Sequence, residues 1–190
     1  MTIANADLRA VQGVLNRQAM QQALEAVAQA TRSSGHSLAL LTLDVDHFKD
    51  YQDEHGPTQA EQVLTQLAML LQQLLPPRAS LAYMGADEFV VILPDATLAT
   101  AAELGERLRD RIASALAQLG GLRPLTVTVG AAASPPNQGW QASTLLALAD
   151  ARMTFAKRRL PPHHNLVWAG TLPSDWYLRL EVQASAWPSQ

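Results

Sequence analysis

The sequence predicts an α/β fold, a mixed or largely antiparallel sheet with helices packed on its faces. Three observations carry this. Residues 37–44, Ser-Leu-Ala-Leu-Leu-Thr-Leu-Asp, form a nearly continuous apolar run with polar ends, the pattern of a central strand buried on both faces. Two shorter strand-like runs, 80–84 and 89–93, are separated by Gly85-Ala86-Asp87-Glu88. That spacing predicts a β-hairpin with acidic residues at its tip. Between and beyond these strands lie long segments with apolar residues at helical spacing, so the sheet needs helices on its faces.

In chain order, Asn16 is placed to cap a helix running to about Thr31, with Met20, Leu24, Val27 and Ala28 at helical spacing. Ser33, Ser34 and Gly35 break it. After the central strand a short turn of helix is expected over 47–53, ending at Gly56-Pro57. Residues 58–75 carry Val63, Leu64, Leu67, Leu70, Leu71 and Leu74 on one face, and Pro76-Pro77 stops that helix. Beyond the hairpin, Pro94-Asp95 leads into a long helix through about Leu116, with Leu98, Ala101, Leu104, Leu108 and Ile112 inward and Gly120-Gly121 at its end. Residues 125–129 alternate as a strand, and Ser134-Pro135-Pro136-Asn137 forms a loop. A last helix is expected over 141–159 and a closing strand over 165–168. The tail, 170–190, carries Trp176 and Trp187 and reads equally as strand or helix. Its aromatics are expected to pack on the domain. The domain is accordingly placed at 1–169, with 170–190 a C-terminal extension.

Bulk composition limits the partners. The 190 residues are 48% hydrophobic and 16% charged, enough apolar material for a sizeable core. A formal net charge of −3 argues against nucleic acid as the main partner. The chain has no cysteine, which excludes a disulfide framework, a zinc–thiolate site and a thiol nucleophile. The first residues lack the basic stretch and apolar run of a signal peptide, and no apolar run is long enough to span a bilayer. A cytoplasmic domain without a membrane segment is the expectation.

The chemistry concentrates in two acidic places. Asp44-Val45-Asp46-His47-Phe48-Lys49 sets carboxylates where a buried apolar strand ends. Placing carboxylates there is costly unless something compensates, and a divalent cation is the usual compensation. Asp46 is also well placed to cap the short helix that follows, and capping ranks ahead of ligation for it. Asp44 has no such alternative and is the better ligand. The second place is Asp87-Glu88. Two acids on a hairpin tip are ordinarily a solvated turn, and it is the pairing with Asp44 that favours a site. An acid at the end of a central strand plus an acidic hairpin tip in the same sheet suits Mg²⁺ held against a triphosphate.

The segment Gly85-Ala86-Asp87-Glu88-Phe89, followed by Val-Val-Ile-Leu-Pro, resembles the signature of the GGDEF family, the diguanylate cyclases. Other segments match in the same order. Residues 11–17, Val-Gln-Gly-Val-Leu-Asn-Arg, resemble the family's first motif, and Asp44 to Lys49 its DxDxFK stretch. Leu93-Pro94-Asp95 resembles its strand exit, and 126–130, Thr-Val-Thr-Val-Gly, its later strand. Ala149-Asp150 with Ala156-Lys157 resembles its last helix. The resemblance covers about residues 11–168. It implies a mixed, largely antiparallel five-stranded sheet flanked by helices, akin to nucleotidyl cyclases and polymerase palms.

The resemblance also implies condensation of two GTP to cyclic di-GMP by two facing subunits, a homodimer when active, with Mg²⁺ or Mn²⁺. By position, Asp44, Asp87 and the carbonyl of Val45 would ligate the metal, with Glu88 a further ligand or acting near the attacking hydroxyl; Asp87 and Glu88 are the catalytic pair. The amides of His47, Phe48 and Lys49 would hold phosphate oxygens, and Lys157 would reach the terminal phosphates.

The chain departs from the family mainly in substrate recognition. The guanine-reading Asn falls on Gln52 and the guanine-reading Asp on Glu61, each one methylene longer, more than a hydrogen bond tolerates without backbone adjustment. The signature's second Gly is Ala86, which costs something if its φ is positive. The Arg two residues before the signature is Tyr83, and the phosphate-binding Arg expected after Lys157 is Pro161. The inhibitory Arg-x-x-Asp is absent, its positions being Pro76 and Ala79, so no inhibitory site is expected. Three readings follow: a diguanylate cyclase, a degenerate GGDEF-like domain that binds GTP, cyclic di-GMP or a protein partner without catalysis, or an enzyme making a different product such as a hybrid or adenine-containing dinucleotide.

Overall fold

The computed structural model describes residues 11–119, 123–134, 136 and 140–176. The expected helix stop at Gly120-Gly121, parts of the loop at 135–137, and the tail beyond Trp176 with Trp187 lie outside the described residues.

Eleven elements follow one another: β1 (Val14–Leu15), α1 (Arg17–Ser34), β2 (Leu38–Asp46), α2 (Phe48–His55), α3 (Pro57–Leu74), β3 (Ser80–Gly85), β4 (Glu88–Pro94), α4 (Leu98–Leu116), β5 (Thr126–Ser134), α5 (Ala142–Arg159) and β6 (Val167–Trp168). The local signals act where expected. The Asn16 side chain accepts from the Ala19 N–H at 2.8 Å at the start of α1, and Gly35 ends that helix in the left-handed conformation at φ +72°. Pro57 opens α3, where its missing N–H has no partner to lose. Thr97 and Thr100 form a reciprocal cap at the start of α4.

The sheet has six strands in the order β1-β3-β4-β2-β5-β6, one more than the five expected. The added strand is β1, two residues paired parallel to β3 at the edge; a two-residue strand has no periodicity to read. The interior pairs are antiparallel, and β6 closes the other edge parallel to β5.

The period of two along β2 divides the molecule. Ala39, Leu41, Leu43 and Val45 join a core with α2, α3 and α4, through Phe48, Leu64, Leu67, Leu71, Leu104 and Leu108. Leu38 and Leu40 face the other way, into a core with α1 and α5 that includes Met20, Leu24, Leu145 and Ala149. Each such fully buried leucine contributes about 1.5–3 kcal/mol. Alternation then carries Asp44 and Asp46 onto the α5 side. Gly130 lets α5 close on the sheet there, since a Cβ at that position would lie 2.0 Å from the Ala149 carbonyl oxygen.

The tail packs as far as it is described. Leu172 and Trp176 are buried in the α1–α5 core, and Trp176 meets Phe155 edge to face at 5.2 Å. No helix among the described residues is long and apolar enough to cross a membrane.

Candidate functional site

The site forms at the end of β2. Asp44 pairs directly with Glu88 across the antiparallel β2–β4 ladder, so the two carboxylates share a face. The Val45 N–H donates to the Asp87 carbonyl at 3.1 Å, which ties the acidic turn to the strand end. Lys157, on α5, places its ammonium on Asp44 and stands 3.3 Å from Asp46. Asp150 lies two helical turns before Lys157, and its charge reaches both Glu88 and Asp44.

Like charges and burial act together here. Burial first, then Asp44, pushes the Asp87 carboxyl up to about 6. Glu88 is raised by burial and by Asp150 and Asp44, against the pull of Arg17 and Lys157. Asp150 is raised by burial and by Asp44. Asp44 is raised by burial, which Lys157 offsets only in part, and the Asp46 charge adds a smaller rise. Burial alone would lower the Lys157 ammonium, but Asp44 and Asp46 overcome this and hold it above its ordinary value. One lysine serves several carboxylates, so the cluster is short of positive charge.

Asp46 is the correction. Its side chain does not cap α2: the N-cap is His47, in the left-handed conformation at φ +59°, with no side-chain cap bond. Asp46 ends β2, fully buried, and accepts from Thr126 Oγ1 at 2.7 Å, Thr128 Oγ1 at 2.8 Å and the Asn165 N–H at 2.9 Å. With Lys157 as fourth donor its acceptor positions are filled, leaving none for a metal.

The turn itself is tight. Gly85 has φ +109° and Ala86 φ +55°, a region where an L-residue costs about 1–2 kcal/mol. The Tyr83 hydroxyl donates to the Ala86 carbonyl at 3.0 Å and its ring lies 5.3 Å from Phe89. Burial, then Asp87 and Glu61, push that hydroxyl up to about 12, so it stays protonated and able to donate. Tyr83 thus feels the charges of Asp87 and of Glu61 on α3.

The remaining sequence candidates are less gathered. Phe48 is buried in the core, so only its backbone is available. Lys49 is exposed, and Gln52 is half-buried on α2. Three groups that the residue-by-residue reading passed over belong to the site: Asp150, the threonines that hold Asp46, and His164, whose ring lies 4.2 Å from His47. Asp150 had a signal, seven residues before Lys157 and so on the same helix face. The others had none, because their partners are remote in sequence.

The donor chemistry fits a hard divalent cation: carboxylate oxygens in excess over positive charge at the end of a buried strand. Among the described residues, however, no three His, Asp or Glu side chains stand gathered closely enough to hold a metal ion, and the Lys157 ammonium lies on Asp44 instead.

The family model described as "Diguanylate cyclase, GGDEF domain" matches residues 9–160. The diguanylate cyclase DgcP of Pseudomonas aeruginosa is 33% identical over 146 residues, 77% of this chain and 22% of the relative. The uncharacterised protein YhcK of Bacillus subtilis is 35% identical over 147 residues, 76% of this chain and 41% of the relative. The chain therefore spans less than half the length of these relatives. The crystal structure of the GGDEF domain of DgcB from Caulobacter crescentus, in complex with c-di-GMP, superposes with a TM-score of 0.72 at 26% identity, covering 82% of this chain and 90% of that one.

Proposed function

The chain belongs to the GGDEF family, and from that premise we propose that it binds GTP with Mg²⁺ or Mn²⁺ and condenses two GTP to cyclic di-GMP as a homodimer. The domain is placed at residues 1–169, with 170–190 a C-terminal extension whose Leu172 and Trp176 pack on the α1–α5 core. What supports the reading is the β2–β4 register, which sets Asp44 opposite Glu88 next to Asp87 at one sheet end, with the Lys157 ammonium on Asp44.

Asp44, Asp87, Glu88 and the Val45 carbonyl are the groups that would hold the cation, which when bound neutralises phosphate charge and lowers the pKa of an attacking hydroxyl. The other residues position substrate. Lys157 exchanges its contact with Asp44 for a phosphate oxygen, and the amides of His47, Phe48 and Lys49 donate to the phosphates. Gln52 and Glu61 read the base edge. In each half-reaction a 3′-oxygen forms a bond to the partner nucleotide's α-phosphorus, pyrophosphate leaves, and the hydroxyl proton passes to solvent or to Glu88.

A second reading, binding without catalysis, has its own support. Ala86 sits at φ +55° in the signature turn, and Gln52 and Glu61 are both longer than the side chains the family uses. Incubating the purified protein with Mg²⁺ or Mn²⁺ and each nucleotide separates the two. Cyclic di-GMP is expected from GTP, and Asp87→Ala should lower its formation by at least about 100-fold. No cyclic dinucleotide at high protein concentration, with calorimetric binding of GTP or cyclic di-GMP intact, would establish the binding-only reading.

A further inference from the structure

A cavity of about 260 Å³ opens at the far end of β2 from the carboxylate cluster. Leu38, which starts the strand, lines it, and Asp44 lies roughly 20 Å away along an extended chain rising about 3.3 Å per residue. The walls are the end of α1, the start of β2, the end of β5 and the first turn of α5. Leu38 and Leu145, both almost fully buried, give the cavity apolar depth, and half-buried Trp140 stands beside them. The two hydroxyls in the lining are engaged by the backbone. Thr31 Oγ1 donates to the Val27 carbonyl at 2.9 Å, and Ser134 Oγ to that of Leu38 at 3.4 Å. The interior therefore offers little to water and suits an apolar body.

The charged groups stand at Arg32 and His36. Arg32 Nη1 donates to the Trp140 carbonyl at 3.0 Å, a tie between α1 and a segment remote in sequence that holds the aromatic wall in place. Nη2 donates to Glu25 Oε1 at 3.3 Å. Both of those side chains are exposed, so that ion pair is weak. A guanidinium has five N–H bonds and these contacts take two, which leaves an edge for a carboxylate, whose planar shape it matches. His36 Nδ1 lies 2.7 Å from Asp95 Oδ1, and Asp95 also accepts from Arg78. The carboxylate nearest His36 is thus answered from two sides. A fixed aromatic wall, apolar depth and one directed cation are the parts from which small-molecule pockets are built.

We propose that this cavity binds a small organic anion, an apolar body ending in a carboxylate. The body lies against Trp140, Leu38 and Leu145, and the carboxylate pairs with Arg32. The volume falls below the range of about 300–1,000 Å³ usual for drug-sized ligands, which limits the occupant to a small molecule and excludes a dinucleotide. The proposal holds whether or not the carboxylate cluster takes a nucleotide.

The test is the ¹H–¹⁵N spectrum of the full chain, whose four tryptophans give four indole N–H signals; Trp140→Phe identifies the one from Trp140. The probes are phenylacetate and hexanoate, with acetate as the acid without a body and phenylacetamide as the body without a charge. The Trp140 signal should shift and saturate with the two probes. Acetate and phenylacetamide should bind at least about tenfold more weakly, the size of one hydrogen bond to a charged group. In Arg32→Ala the advantage of phenylacetate over phenylacetamide should disappear, while the affinity for phenylacetamide stays unchanged. Arg32→Lys, which keeps the charge without the fork, should retain part of the advantage and stands in if the alanine variant does not fold. No saturable shift of the Trp140 signal with either probe overturns the proposal. Equal affinity for acid and amide in the parent protein overturns it too, as does an undiminished advantage in the Arg32 variant. An equal loss of acid and amide in Arg32→Ala marks Arg32 as a clasp on Trp140 alone, and a shift shared by all four indoles marks surface association. Both of these also overturn it.

Discussion

Asp44 and Asp46 lie two residues apart on β2, face the same side of the sheet, and meet opposite conditions. Asp46 is fully buried with four donors around it. Asp44 is less buried, directly opposite another carboxylate in Glu88, and shares one lysine with its neighbour. The comparison teaches that burial alone does not identify a ligand. A carboxylate whose acceptor positions are filled by the protein is part of the fold, and one left short of positive charge is available to a cation.

The largest test of this comparison is Asp46→Ala. It strands two threonine hydroxyls, a backbone N–H and half of the lysine's compensation. Urea denaturation should show a loss of about 3–5 kcal/mol. Asp44→Asn should change stability by less than about 1 kcal/mol. A small effect at Asp46, or a large one at Asp44, would break the distinction.

A second test uses pH. The Asp87 carboxyl is raised from 3.8 to about 6 in the folded protein, so folding favours its protonated form. The stability it contributes is fully present below about pH 4 and is lost as pH rises through about 6. Asp87→Asn removes this dependence. It should therefore be more stable than the parent by about 1 kcal/mol at pH 7, after allowance for partial exposure, and indistinguishable at pH 4. Equal melting of the two proteins across that range would show that the cluster is not strained by its own charge.

The smallest effect is expected at the turn. Ala86→Gly relieves left-handed strain of about 1 kcal/mol but restores unfolded-state freedom of similar size. Stability should shift by only a few tenths of a kcal/mol, read from the thermal midpoint. Product formation should rise if the alanine methyl crowds the nucleotide, which sharpens the choice between cyclase and binding-only domain.

The helices and interior strands were legible because their signals are local. Asn16 caps α1 through its own next turn, and the apolar run of β2 needs both faces covered wherever it sits. Asp44, Asp87 and Glu88 stood out by their place at a buried strand end and a hairpin tip, Lys157 only through the resemblance to a family, and the register of β2 with β4 brings the two strand ends together. Asp46 was misread for the opposite reason. A local pattern favoured a cap, while its actual partners, Thr126, Thr128 and Asn165, are 80, 82 and 119 residues away. β1 escaped because two residues at a sheet edge show no alternation.

By itself, then, the sequence determined the α/β class, the order of the main elements, and a strand end and hairpin rich in carboxylates. Those follow from periodicity, capping and turn chemistry, which act over a few residues. Only the tertiary structure decided which carboxylates are compensated, that Lys157 is shared between Asp44 and Asp46, and that His164 meets His47. The physical reason is that charge compensation depends on distances across the sheet and between elements. Residues on β2, β4, α5 and the 161–165 loop become neighbours only once Gly130 admits α5 and the strands find their register.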